Sequence, residues 1–148
     1  MADTEFEQID KVHNALAKKE KRQGATSIGE IEQVVLLIWH ASGIIGNGGF
    51  RYFFECGLSL KDTAKAYEQI GVEQAALILR KVLKLFPNSL VPEDWDERMS
   101  IVEKLYEQHE KLLDDLVGDY YATDELMERQ LAGWIRVHKD VFEKLNLN

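Results

Sequence analysis

The fold is decided by the stretch Ile31–Glu55, IEQVVLLIWHASGIIGNGGFRYFFE. Its segment Val34–Trp39 is apolar on every side, and a helix that is hydrophobic all round has to be buried in the core. We therefore predict a central buried helix over roughly residues 28–42. The glycines of Gly43–Gly49 should stop this helix, and residues 50–56 should form a short helix after a tight turn.

Four aromatic residues of this stretch are candidates for the centre of the core. The apolar run ends in a tryptophan, and three phenylalanines follow directly after the turn that brings the chain back. Aromatic side chains bury large areas and dominate the packing of a core. The predicted core centre consists of Trp39, Phe50, Phe53 and Phe54.

Helical patterns continue on both sides of this stretch. Strong helix formers dominate the chain, and Pro87 and Pro92 bracket its clearest break. The sequence predicts a single compact all-α domain, residues 1–148, with an N-terminal helix within residues 1–27 and further helices over 28–148. Outside the central stretch, the predicted helices cover residues 3–22, 60–71, 73–86, 96–117 and 124–145.

Length and composition are those of an ordinary globular domain. The 148 residues are 45% hydrophobic, which is enough to bury a core without disulfides or metals. Cys56 has no disulfide partner within the chain, which favours a reducing compartment. The first residues lack the basic and apolar regions of a signal peptide, and the longest apolar run is too short to cross a bilayer. We therefore expect a cytoplasmic protein.

Acidic residues are concentrated in one segment of the chain. Residues 87–128 contain thirteen acidic and three basic residues, hence −10, whereas the rest has thirteen acidic and fifteen basic residues, hence +2. The formal charge of −8 therefore comes from this segment alone. Such a field attracts a cationic partner and repels nucleic acid and anionic membranes. We expect a basic protein partner, with no direct binding of nucleic acid or membrane.

The helix predicted over residues 96–117 is amphipathic, with a row of carboxylates on one side. At 100° per residue, four carboxylates share an arc of about 60° that lies well away from the apolar face. They should be exposed and unpaired with bases from other helices: Glu103, Glu107, Glu110 and Asp114. Two interpretations stay open, an ordinary solvated face or a functional anionic surface. The candidate partner-binding residues are Glu93, Asp94, Asp96, Glu103, Glu107, Glu110 and Asp114.

Sequence signatures of metal or nucleophilic chemistry are missing. A di-metal centre in a helical bundle needs Glu-x-x-His on two helices, and the sequence contains no such motif. His109 falls on the apolar face of its helix, where we expect a core residue and not a ligand. Cys56 and Ser42 lack the motif of a nucleophile elbow. We therefore predict no metal, no cofactor and no catalytic residue.

The turn Gly46–Gly49 supports a second hypothesis. Its residues accept left-handed backbone conformations, which favours a tight turn, and an anion-binding nest of backbone N–H groups is the alternative. An enzyme or small-ligand protein would be built around this turn, and the acidic residues would then serve solubility only. The candidate ligand-site residues are His40, Asn47, Arg51 and Cys56.

The same turn carries a resemblance to a known family. Asn47–Phe50, followed by Phe53 and Phe54, resembles the NGGF..FF signature of a bacterial family of domains of unknown function, of the C-terminal-domain type. The resemblance covers residues 31–146 approximately and implies an all-α domain. The best-known member is a DNA mimic, whose acidic surface imitates the phosphate charges of duplex DNA and occupies a transcription regulator. The signature residues look structural, so they do not by themselves transmit mimicry.

These observations support three functional hypotheses. The first is a non-enzymatic binding protein whose acidic surface docks a basic partner, and its sharpest form is a DNA mimic that occupies a DNA-binding regulator. The second is the enzyme or small-ligand protein at the turn. The third is an accessory structural subunit without a ligand. A homodimer is compatible with the sequence, which does not identify the partner.

Overall fold

The computed structural model describes residues 2–145 and Leu147. Within this part of the chain the regular structure is helical and contains no β-strand, which confirms the predicted all-α class. The α-helices are α1 (Glu5–Gln23), α2 (Glu30–Glu55), α3 (Leu60–Gln69), α4 (Glu73–Leu85), α5 (Trp95–Tyr121), α6 (Asp124–Val137) and α7 (Lys139–Phe142). Short 3-10 turns cover Ala25–Ser27 and Pro87–Ser89.

Helix α2 is the centre of the fold, as its apolar first half predicts. It packs against α1, α3 and α5, while α4 packs against α3 and α5, and α6 packs against α1. The consecutive residues Val34, Val35 and Leu36 are all buried. Successive residues of a helix point 100° apart, so this burial requires neighbours on more than one side of α2.

Two helices begin at side-chain caps. At the start of α1, Thr4 Oγ1 accepts a hydrogen bond of 3.1 Å from the backbone N–H of Glu7. At the start of α3, Ser59 Oγ accepts one of 3.1 Å from the N–H of Asp62. Each cap satisfies a backbone donor that the helix itself leaves without a partner.

The glycines of α2 do not stop the helix where the sequence predicts. The helix continues through Gly43 and Gly46 and leaves helical dihedral angles only at Gly48 and Gly49. A glycine costs about 1 kcal/mol in a helix interior. The two isoleucines between Gly43 and Gly46 are buried, and burying two such side chains stabilises the fold by about 3 kcal/mol or more. Packing therefore outweighs propensity, and the predicted end near residue 42 is wrong.

Substitution of Gly49 tests the kink in α2. Gly49 has φ 67° and ψ −165°, a combination open essentially to glycine alone. We expect Gly49→Ala to lower the free energy of unfolding by about 1–3 kcal/mol. Gly46→Ala is the matched control, since a Cβ there meets nothing within 4 Å, and it should be neutral or stabilise by up to about 1 kcal/mol. Urea unfolding followed by circular dichroism measures both variants, and equal losses would contradict the assignment.

The three phenylalanines after the kink form the centre of the core, as predicted. Phe50, Phe53 and Phe54 are almost fully buried. The ring of Phe54 lies 5.6 Å from that of Phe53 and 5.0 Å from that of Phe86, which follows α4. These contacts tie the second half of α2 to the end of α4.

Trp39 lies at the edge of the core, so its predicted place at the centre is wrong. Its half-buried ring lies 5.0 Å from the ring of Phe6 in α1. Its indole N–H donates a hydrogen bond of 3.0 Å to Asp10 Oδ1. An indole N–H needs a partner when it is removed from water, and the interface between α1 and α2 supplies one.

A buried pair of tyrosines joins α3 to α5. The hydroxyl groups of Tyr67 and Tyr120 are hydrogen-bonded to each other. The ring of Phe50 lies 6.3 Å from that of Tyr120. Burial raises the pKa of both tyrosines, so the pair stays neutral and satisfies its own polar groups inside the core.

The helix predicted over residues 124–145 is divided in two. Helix α6 ends at Val137, and His138, with φ −106° and ψ 34°, separates it from the single turn of α7. The helical pattern places either Val137 or His138 inward, and the structure leaves Val137 78% exposed and His138 half-buried. Beyond the interruption, Val141 and Leu145 still pack against the core, as the helical pattern predicts.

Candidate acidic binding surface

The N-terminus of α5 gathers the first acidic residues of the segment. Asp94 is the N-cap of the helix, and its Oδ2 accepts a hydrogen bond of 2.9 Å from the N–H of Glu97. Glu93, Asp94 and Asp96 are all exposed. Trp95 stands among them with 53% of its surface exposed, held by a hydrogen bond of 3.2 Å from its indole N–H to the carbonyl oxygen of Glu55.

Arg98 does not neutralise this acidic segment, although its charge is counted there. Its side chain is buried and donates to three backbone carbonyls: Phe54 at 2.7 Å, Glu93 at 2.9 Å and Pro92 at 3.2 Å. The guanidinium thus joins the end of α2 to the loop before α5. The surface of the segment is left with Lys104 and Lys111 as its bases, so it is more acidic than the sequence count suggests.

Glu103 is paired, so the prediction that all four carboxylates of the row lack a base is wrong at this position. Its carboxylate forms a salt bridge with Arg51 of α2. The guanidinium of Arg51 also lies over the ring of Tyr106, 4.7 Å from its centroid. Arg51 follows the kink of α2 and lies where α2 packs against α5. The spacing of residues in the sequence does not reveal how two helices cross. Both members of the pair are partly exposed, so the bridge contributes at most about 1 kcal/mol.

The other three carboxylates of the row have the expected environment. Glu107, Glu110 and Asp114 are exposed, and none of them forms a salt bridge within the described part of the chain. Lys111 pairs instead with Asp115, at 3.0 Å. Together with the acids at the start of α5, these residues make up the acidic surface: Glu93, Asp94, Asp96, Glu107, Glu110 and Asp114.

The acidic surface is not the straight row that a regular helix predicts. His109 has φ −134° and ψ 29°, which interrupts the helical geometry of α5. A constant 100° per residue therefore cannot be carried from Glu107 to Glu110. His109 is half-buried, close to the predicted core position. The interruption therefore sets the direction of Glu110 and Asp114 relative to that of Glu107. The sequence pattern does not reveal this change.

The turn of α2 borders a cavity of about 470 Å³ that the sequence did not reveal. Its lining includes Asn47 of the turn and the aromatic side chains of Phe6 and Trp39. Three carboxyl groups also line it, from Asp10, Asp124 and Glu128. No lysine or arginine belongs to the lining.

Two carboxyl groups of this cavity are harder to ionise than usual. Burial raises the pKa of Asp124. Burial also raises the pKa of Glu128, with a further contribution from the carboxylates of Asp124, Glu5 and Glu125. Removal of carboxyl groups from water beside like charges disfavours the charged form. A cation that entered the cavity would offset this cost.

The structure does not bring the four predicted ligand-site residues together. The exposed His40 lies beside His13, at a ring-centroid distance of 6.2 Å, where burial and then the charge of His40 lower the pKa of His13. Asn47 borders the cavity, whereas Arg51 is paired with Glu103. Cys56 is exposed at the end of α2. Helix α2 distributes these side chains among different neighbours, so they do not form one site around the turn.

The described residues contain neither a metal-binding cluster nor a helix suited to cross a membrane. Residues 2–145 and 147 include no group of three or more His, Cys, Asp or Glu side chains arranged to hold a metal ion. Among the helices that the structure describes, none is both long and apolar enough to cross a membrane.

The sequence matches the DMP19-like protein family over residues 26–138. This match extends from the turn before α2 to the end of α6 and includes the whole acidic surface. It agrees, at the level of the family, with the resemblance to a family of the DNA-mimic type. No curated protein and no solved structure matches the chain. The chain belongs to the DMP19-like protein family.

Proposed function

We propose that this protein is a non-enzymatic binding protein that docks a basic protein on its acidic surface, as a mimic of DNA. The observation that carries the proposal is the group of exposed carboxylates along α5 without a salt bridge in the described chain. The DNA-binding face of a regulator presents Lys and Arg side chains that otherwise contact phosphates. Carboxylates at comparable positions would compete for these side chains.

The distribution of charge and apolar surface supports this function. The one arginine of the segment is buried on backbone carbonyls, so it does not offset the acidic surface. Trp95 is exposed between Asp94 and Asp96. Tryptophan is enriched among the residues that dominate binding energy at protein interfaces. The N-terminus of α5 therefore combines an aromatic anchor with the charges that attract a cationic partner.

Neutralisation of three carboxylates tests the proposal. We expect Glu107→Gln/Glu110→Gln/Asp114→Asn to fold normally and to lose about 1–3 kcal/mol of binding free energy, because exposed ion pairs contribute up to about 1 kcal/mol each. Its binding should also depend less on salt than that of the wild type. The variant Glu103→Gln should bind nearly as the wild type does, since that carboxylate is already paired.

The measurement is affinity capture from a bacterial lysate at low and high salt, followed by titration of the captured protein. The matched control is Glu20→Gln/Glu30→Gln/Glu73→Gln, which removes three negative charges outside the acidic surface and should retain binding. Duplex DNA should displace the partner if both use the same basic face. Capture that is insensitive to salt, or equal losses in the two triple variants, would refute docking on this surface.

The cavity beside the turn supports a second candidate, a protein that binds a small cationic ligand. Its carboxyl groups and the ring walls of Phe6 and Trp39 suit an amine, since cations are attracted to both. Titration with spermidine, read by the melting temperature, tests this candidate. Spermidine should then raise the melting temperature saturably, and Asp10→Asn/Glu128→Gln should abolish this stabilisation. If the triple variant of α5 keeps the stabilisation, the result favours the small-ligand function over docking.

A further inference from the structure

A second cavity is lined mainly by basic side chains, in contrast to the acidic surface. Its volume is about 560 Å³, and it is bounded by the C-terminal half of α1, the start of α2 and the residues from Val141 to Leu145. Four basic side chains line it, with one carboxylate: Lys18, Lys19, Arg22, Lys144 and Glu32. On a protein with a formal charge of −8, this concentration of cations is unexpected.

The one carboxylate of this basic cavity is already engaged. Glu32 is buried, and its oxygens accept hydrogen bonds from Lys19 Nζ at 3.1 and 3.3 Å. Its Oε1 also accepts one of 3.1 Å from the N–H of Gly29. Glu32 therefore neutralises and orients Lys19. Lys18, Arg22 and Lys144 form no salt bridge among the described residues, so the cavity carries three uncompensated positive charges.

The helix dipole explains only part of this arrangement. Basic residues near the end of α1 interact favourably with its negative C-terminus. Lys144 comes from the other end of the chain, however, and faces the same cavity. Like charges that share a cavity repel one another, and a bound anion would relieve this repulsion. Arginine offers a planar fork that matches phosphate oxygens, and lysines add point charges around it.

The basic cavity is independent of the acidic surface. Of the five charged residues that line the cavity, only Glu32 lies within the matched family range 26–138, and the four basic residues lie outside it. The segments that flank the family region therefore meet in the fold to form this cavity. We propose that it binds a small phosphorylated anion with at least two negative charges. Cavities of 300–1,000 Å³, roughly, are typical of small-molecule sites.

Calorimetric titration of the full chain with inorganic pyrophosphate tests the inference, in low-salt buffer without added divalent cations. A parallel titration with ATP distinguishes a free phosphate from a phosphorylated nucleoside as the source of the anion. We expect saturable binding of one equivalent of at least one of the two. Lys18→Gln/Arg22→Gln should weaken it by at least about tenfold, because each charged hydrogen bond contributes well above the thermal energy.

The matched control is Lys81→Gln/Lys84→Gln, which removes two exposed positive charges from α4 and should change the affinity by less than about twofold. Lys144→Gln serves as a second variant if the double substitution lowers the melting temperature without ligand. Weaker binding by either cavity variant, Lys18→Gln/Arg22→Gln or Lys144→Gln, together with unchanged binding by the control, supports the site. Binding of neither anion, equal weakening in the control, or an unchanged affinity in both cavity variants would overturn it.

Discussion

Replacement of Arg98 by methionine is expected to lower the free energy of unfolding by about 3–5 kcal/mol. The side chain is buried and donates to the carbonyls of Phe54, Pro92 and Glu93. A buried carbonyl that loses its partner costs about 1–3 kcal/mol, and bonds from a charged donor are the stronger ones. Methionine has a similar length and no donor, so all three bonds are lost while most of the volume is kept.

The effect of Arg98→Met should be concentrated in the loop before α5. Hydrogen exchange in residues 87–95 is expected to accelerate more than exchange in the core of α2. The guanidinium connects this loop to the end of α2, and the loop loses that connection in the variant. Arg129→Met, which removes an exposed arginine from α6, is the matched control and should stay within about 0.5 kcal/mol of the wild type. Urea unfolding measures both. A loss below about 1 kcal/mol for Arg98→Met would show that water replaces the guanidinium.

Phe50→Ala is the second substitution with a large expected effect, again about 3–5 kcal/mol of unfolding free energy. The side chain is 1% exposed and lies at the kink of α2, against the ring of Tyr120. Its removal leaves a cavity between α2 and α5 that the rigid tyrosine pair cannot fill. Such a loss is a large share of the stability of a domain of this size.

The control for Phe50→Ala is Leu77→Ala, which truncates an apolar residue of α4 that is 48% exposed. It should cost less than about 1 kcal/mol, because little apolar surface returns to water. Thermal unfolding by circular dichroism compares the two variants. If the melting temperature of Phe50→Ala stays within a degree or two of the wild type, the assignment of the core centre is wrong.

The two proposed sites occupy separate regions of the protein. The acidic surface lies on α5, within the family range. The basic cavity is formed by segments on either side of that range. The triple substitution in α5 and Lys18→Gln/Arg22→Gln therefore report on different regions, and failure of either proposal leaves the other one standing.

The features that the sequence by itself determined are those that depend on local chemistry. Hydrophobic residues all round Val34–Trp39 require a buried helix, and Pro87 and Pro92 exclude a continuous helix between α4 and α5. The burial of Phe50, Phe53 and Phe54 follows from their size and their place after the turn. The acidic character of residues 87–128 is a matter of composition. Neighbours in the chain suffice for each of these predictions.

The sequence predicted the candidate sites only in part. The sequence identified Glu107, Glu110 and Asp114 as exposed carboxylates, because they lie off the apolar face of their helix. It did not reveal that Arg51 reaches Glu103, or that Arg98 is buried on backbone carbonyls. These contacts join residues more than forty positions apart, and they depend on how α2 and α5 cross.

The tertiary structure alone decided where the helices bend and what they enclose. Gly43 and Gly46 stay helical because burial of the residues around them outweighs a propensity cost of about 1 kcal/mol each. His109 and His138 interrupt helices whose apolar pattern continues past them. Both cavities are lined by residues from opposite parts of the chain. The physical reason is common to all of them: contacts between distant segments supply more free energy than local preferences, and periodicity does not encode those contacts.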